Sequence, residues 1–165
     1  MANLKELTWE HHKNAERQAF VKKMFKGELS DAAYATYLYN QHMNYNMLEQ
    51  ISIVSGLLID MPEIRRAPAI HEDFTELWPD QDVTPYVAPS TKEYMDYVLS
   101  LMDNKEKLMA HLYVRHMGDL SGGQLLAKRV PGSGKYYQFE GDVEELKNKI
   151  RSKTTDDMAE EAKLV

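Results

Sequence analysis

The chain contains no cysteine, which excludes disulfides, thiolate catalysis and thiolate metal sites. No apolar run approaches the ~20 residues needed to span a membrane. Residues 1–25 lack the layout of a signal peptide. β-Branched residues are sparse and two-residue alternation is missing, so nothing reads as a system of strands. Positive charge is outnumbered: 20 Lys and Arg face 26 Asp and Glu, a net charge of −6. That balance argues against bulk binding of nucleic acid or of an anionic membrane, and an anionic ligand needs a local basic patch. A soluble, cytoplasmic and monomeric protein without a nucleic-acid or membrane partner is the expectation.

What is present is helix-forming. Ala, Leu, Met, Glu and Lys dominate, and 165 residues suffice for one domain with a real core. A first helical stretch is predicted over about 3–25, stopped by Lys26-Gly27. Ser30 or Asp31 caps a long segment, "DAAYATYLYNQHMNYNMLEQISIVSGLL". The middle, 59–91, holds five of the six prolines and reads as short helices in loop. Ser90-Thr91 opens a further run to about 130, interrupted at Asp103-Asn104. "PGSG", 131–134, is a break, and a basic helix follows from about 142. The fold class is all-α, a single domain over residues 1–165. The tail, "TTDDMAEEAKLV", starts with a capping-box pattern, Asp157-x-x-Glu160. Two turns are too few for an isolated helix, so the tail reads as a final helix cut short rather than as a docked one.

Residues 120–124, "LSGGQ", match the pentapeptide of ABC-type ATPases. That reading requires a phosphate-cradling G-x-x-x-x-G-K-[ST] loop. At the nearest candidate, Gly134-Lys135, the first glycine position is Arg129 and Tyr136 stands where Ser or Thr would hold magnesium. The nucleotide reading fails. Gly118, Gly122 and Gly123 then need another reason, because each costs about 1 kcal/mol relative to Ala inside a helix. One reading is a kink or close approach of bare backbone to something flat, on a face carrying Arg115, Gly118, Asp119 and Gly122. The other is a helix end and a turn, with Asp119 as a cap. Both stand on local pattern.

Near the N-terminus, "HHKNAE" puts His12 and Glu16 four residues apart. On a helix, Glu16 could accept a hydrogen bond from one imidazole nitrogen while the other faces a metal. His11 is equally available, and a surface histidine is the ordinary alternative. Lys147 and Arg151 form a second i, i+4 pair that could hold carboxylates, or be a solvated face.

Together these stretches resemble the heme oxygenase family. "AHLYVRHMGDLSGGQLL" is similar to that family's distal-helix motif, "LKELTWEHHKNAE" to its proximal stretch, and "LKNKIRSK" to its late basic segment. The resemblance implies a multi-helix bundle with haem between a proximal N-terminal helix and a Gly-rich, kinked distal helix. It makes His12 the iron ligand, in preference to His11, and Glu16 its partner. Gly118 and Gly122 would lie against the porphyrin. Asp119 would anchor a distal water network supported by Arg115 and Tyr45. Lys5, Tyr113, Lys147 and Arg151 would hold the propionates. The activity implied is opening of haem, both cofactor and substrate, to biliverdin (IXα isomer), CO and Fe2+, using O2 and external electrons, with ferredoxin the expected donor. A haem carrier without efficient turnover is the alternative. For ferredoxin docking, "VKKMFKG" (21–27) and Lys128-Arg129 are the basic candidates. Position 116 departs from the family: it is His where an aromatic is usual, which adds a titrating group near the site. The bacterial, cyanobacterial and phage-like soluble forms are the nearest in kind.

Overall fold

In a computed structural model the protein is described over residues 3–16, 18–80 and 82–165; the Glu16 side chain lies outside what is described. The described residues form helices without a strand. The first stretch breaks into three: α1 (Leu4–Leu7), α2 (Trp9–Glu16) and α3 (Ala19–Phe25). The break at Thr8 has a local cause, since its hydroxyl donates to the Leu4 carbonyl at 2.7 Å and competes for the ladder acceptor. The predicted stop is real. Gly27 takes φ +70°, and the Glu28 amide returns to the Lys23 carbonyl at 2.9 Å, the left-handed closure that glycine accepts without steric penalty.

Ser30 then caps α4 (Asp31–Val54), its hydroxyl accepting from the Ala33 amide at 3.2 Å. Along α4 the buried positions Tyr34, Leu38, Tyr45, Leu48, Glu49 and Ser52 repeat at three, four or seven residues, the stripe of a helix with one inward face. The proline-rich middle holds a 3-10 turn and one helix of 11 residues set in loop, in line with the short helices expected there. Pro62 opens a 3-10 turn, and Pro68 and Pro89 sit in the first turns of α5 (Ala67–Leu77) and α6 (Pro89–Ser100). Proline lacks only an N–H that is orphaned there anyway. The interruption at Asp103-Asn104 is present, and Asn104 caps α7 (Lys105–Leu120) by accepting from the Lys107 amide at 3.1 Å.

After α7 the chain turns at Ser121–Gly122 and resumes as α8 (Gly123–Leu126). Gly134 follows at φ +66°, where a Cβ would stand 2.7 Å from the Ala127 carbonyl oxygen. Asp142 caps α9 (Val143–Ser152). The capping box at Asp157 does not form. Instead Asp156 accepts the Asn3 amide at 2.7 Å, a short 3-10 turn precedes α10 (Ala159–Leu164), and neither element has a side-chain cap. The tail is docked: Met158, Ala159 and Ala162 are buried against the same cluster as Leu108 and Leu112.

Two apolar clusters make the core. One joins Leu4, the second half of α4, α6, α7, α9 and α10. The other joins Met24 of α3, the first half of α4, α5, Leu126 of α8 and the tyrosines 136 and 137. The end of α7 falls between them, against the middle of α4.

Candidate functional site

The site begins with a polar face on α7. Asp119 is buried, and the Tyr45 hydroxyl from α4 donates to its Oδ2 at 2.8 Å. Burial pushes the Asp119 carboxyl up from 3.8 to about 7; His116, the Tyr45 hydrogen bond, Arg66 and Arg115 pull it part of the way back. One turn earlier, Arg115 lies over the Tyr94 ring at 4.1 Å and the Tyr45 ring at 5.4 Å. Its Nη1 donates to Gln41 Oε1 at 3.2 Å, while its buried Nε has no protein partner. A buried donor of that kind is where ordered water or a ligand atom is expected. A carboxyl held well above its ordinary pKa, a guanidinium and a phenol converge here.

The glycines sort into two kinds. Gly118 is exposed, and a Cβ on it would meet nothing within 4 Å; one on Gly122 would come within 3.9 Å of the Phe25 ring. Gly118 therefore bares backbone beside Asp119, a surface a flat ring system can approach. Gly123 is a packing glycine, since its Cβ would fall 2.7 Å from Tyr137 Cδ1. The turn reading of this segment holds, with one correction. Asp119 does not cap it; the Gln124 side-chain amide does, donating to the Asp119 and Tyr137 carbonyls at 3.0 and 2.9 Å. That clip is what the Q of LSGGQ serves.

His12 stands on the exposed α2, its ring stacked on Trp9 at 5.5 Å and 19°. α2 is tethered at both ends, through α1, which packs on α10, and through α3, which packs on α8 beside Gly122. Of the basic set, Tyr113 and Arg151 are brought together where α7 meets α9. Burial raises the Tyr113 phenol and the Arg151 charge opposes that rise. Lys147 lies one turn before Arg151 and pairs with Glu144 at 3.4 Å, and Arg151 reaches Asn148 at 3.2 Å. Lys5 is exposed on α1, whose neighbour is α10. The structure thus joins Tyr45, Asp119 and Arg115, with Gly118 next to Asp119 on α7 and Gly122 in the turn beyond it, and separately sets Tyr113 near Arg151, with Lys147 one turn before Arg151 on α9.

Three further members lie outside the residues that the sequence reading singles out. Tyr94 carries the Arg115 guanidinium, Arg66 feeds positive charge to Asp119, and Glu49 meets His116 at 2.9 Å. A glutamate on the inward stripe of α4, four residues from Tyr45, was the signal available for the last.

The heme oxygenase family model matches residues 1–163. Heme oxygenase 2 of Macaca fascicularis is 33% identical over 154 residues, which are 82% of this chain and 48% of that protein. The heme oxygenase of Rhodella violacea is 28% identical over 165 residues, covering 88% of this chain and 68% of its own. Among solved structures, heme oxygenase-1 of Synechocystis sp. PCC6803 in complex with heme superposes with a TM-score of 0.86 at 26% identity, over 97% of this chain and 84% of that one. The heme oxygenase of Leptospira interrogans gives 0.83 at 31% identity, over 98% and 92%. The chain spans about half the length of the mammalian relatives. A family model matched nearly end to end, over a fold that places the Asp119 constellation beside bare glycine backbone, settles the assignment: the chain belongs to the heme oxygenase family.

Proposed function

We propose that the protein binds haem between α2 and the α7–α8 turn and opens it oxidatively to biliverdin, CO and Fe2+, with O2 and external electrons. The observation that carries this reading is the buried Tyr45–Asp119 hydrogen bond beside Gly118, whose missing side chain leaves room for a flat ligand. Haem, when bound, supplies the iron that activates oxygen and is itself the material oxidised. His12 would ligate that iron, with Glu16 as its partner; Gly118 and Gly122 would face the ring; Lys5, Tyr113, Lys147 and Arg151 would hold the propionates. Fixing the propionates fixes the ring's rotation, and hence which bridge carbon is opened, here the α position that gives the IXα isomer.

This chain's own residues handle the proton. With its carboxyl near 7, Asp119 is populated in both forms at neutral pH, the condition for a group that must give and regain a proton each cycle. Tyr45 fixes the orientation of Oδ2. Arg115, with a free buried Nε, can hold a water beside the acid.

Electrons come from outside, and ferredoxin is the proposed donor. In support, the fold merges both basic candidates into one surface. Arg129 donates to the Phe25 carbonyl at 2.5 Å, setting Lys128 and Arg129 against α3, whose Lys22, Lys23 and Lys26 are exposed. Among the described residues no helix is long and apolar enough to cross a membrane; a soluble, cytoplasmic monomer is part of the proposal.

Hemin titration tests the binding half. The full chain is expected to give a Soret band at one equivalent, and His12→Ala to weaken or shift it. A His12→Ala spectrum identical to that of the parent would remove His12 as ligand.

A further inference from the structure

Two buried histidines lie five residues apart on α7, and their surroundings demand different protonation. His111 Nδ1 faces the Tyr94 hydroxyl at 2.7 Å, and its Nε2 faces Glu161 at 2.8 Å. One neighbour can donate and the other can only accept, so a neutral ring satisfies both. Burial correspondingly holds the His111 pKa below its ordinary value.

His116 has no such donor. Its Nε2 is 2.9 Å from Glu49 Oε2, and its Nδ1 is 3.2 Å from the Leu112 carbonyl oxygen. A carbonyl can only accept. Glu49 is held as an acceptor too, because it receives the Arg66 amide at 2.6 Å, the Ala67 amide at 3.0 Å and Arg65 Nε at 3.4 Å. Burial alone would raise the Glu49 carboxyl, yet His116 and those two amides bring it below its ordinary range. A neutral His116 would point a lone pair at one of two acceptors in a site where both side chains are wholly buried. An unmet polar atom is costly there, and a buried charge is tolerated when paired and hydrogen-bonded.

The pair sits directly behind the candidate acid. The His116 ring meets the Tyr45 ring edge-on at 5.2 Å, and the same Tyr45 donates to Asp119, one turn along from His116. The other charged or titratable groups facing this corner are Glu49 from α4, Arg65 and Arg66 at the start of α5, Tyr136 of the 3-10 turn at 135–137, and Arg115 on α7 itself.

We infer that His116 is a resident imidazolium, clamped between Glu49 and the Leu112 carbonyl, that acts as a positioning residue by holding positive charge behind the Tyr45–Asp119 pair. It touches neither substrate nor reacting atoms; it works through Tyr45 and through its field on Asp119. The inference deepens the role proposed for Asp119, but its test needs no turnover and so fails or succeeds independently of that role.

The experiment is NMR on the full chain before hemin is added, with 15N detection of histidine rings and 13C detection of aspartate carboxyls. The expected result is that His116, which faces two acceptors, carries a proton on both ring nitrogens, while His111 shows one protonated nitrogen. In His116→Gln, a neutral side chain that can still donate to Glu49, the Asp119 midpoint is expected to rise by about one pH unit, as loss of a unit charge at this range implies. A single protonated nitrogen on His116 at neutral pH would overturn the inference. So would an Asp119 midpoint unmoved in folded His116→Gln. The measurement on the unsubstituted protein decides the first point even if the variant does not fold.

Discussion

Tyr45 and Asp119 are separated by 74 residues in sequence and joined by a 2.8 Å hydrogen bond. The bond fastens the middle of α4 to the end of α7 at the seam between the two apolar clusters. It also keeps a carboxylic acid in a place that disfavours its charge.

That conflict makes stability depend on pH. The folded Asp119 pKa, about 7, lies above the ordinary 3.8, so the native state holds a proton that the unfolded chain releases. The associated stability is complete below about 3.8 and is lost as pH rises through 7. Asp119→Asn keeps an oxygen to accept from Tyr45 and abolishes the ionisation. Its melting temperature is expected to match the parent near pH 4 and exceed it increasingly up to pH 8, by at most about 4 kcal/mol in stability. Thermal melts across that pH range check it; a difference independent of pH would show that Asp119 does not titrate there.

Gly118 and Gly123 are expected to behave oppositely. Gly118→Ala adds a methyl to open space within a helix, so the haem-free protein should gain up to about 1 kcal/mol while hemin affinity falls. Gly123→Ala drives a methyl into the Tyr137 ring and should lose about 1–3 kcal/mol. Denaturant unfolding with parallel hemin titration separates the two effects.

Glu161 ties α10 to the bundle. Its Oε1 accepts from His111 Nε2 at 2.8 Å and from the Tyr97 hydroxyl at 2.5 Å. Glu161→Ala leaves both donors without their acceptor, at about 1–3 kcal/mol. Hydrogen exchange should locate the loss in residues 159–164 and in α7 near His111; uniform loosening would contradict it.

Reversing charge at Lys23 and Lys128 should slow ferredoxin-supported haem breakdown about tenfold or more at low salt and leave ascorbate-supported breakdown unchanged, the difference shrinking as salt screens the surface. Equal slowing with both reductants would place these lysines in the haem site instead.

Punctuation was the most legible part of the fold. Gly27, Ser30, Asn104 and the 131–134 break act on their own neighbours, so each is readable locally. The prolines of 59–91 act by position, as starts rather than breaks: Pro68 sits in the first turn of the eleven-residue α5, and Pro89 begins α6 one residue before the Ser90-Thr91 opening that the sequence offers. Asp157 looked like a cap, but the neighbouring Asp156 was claimed by an amide 153 residues away. Within the site, the grouping of Arg115, Gly118 and Asp119 follows from helical spacing, whereas Gly122 lies in the turn beyond the end of α7. The Tyr45 partnership came through family resemblance. The charge state of Asp119 and the Glu49–His116 pair depend on what α4, α5 and the 135–137 turn bring to the seam, and no local pattern contains that.

The central claim is that this constellation opens haem rather than merely holding it. Purified protein loaded with hemin and supplied with ascorbate, or ferredoxin and its reductase, under air should lose its Soret band as a broad biliverdin absorption grows. In Asp119→Ala the band should form and biliverdin should not. A Soret band in the unsubstituted protein that persists under these conditions would contradict the account and leave a haem carrier.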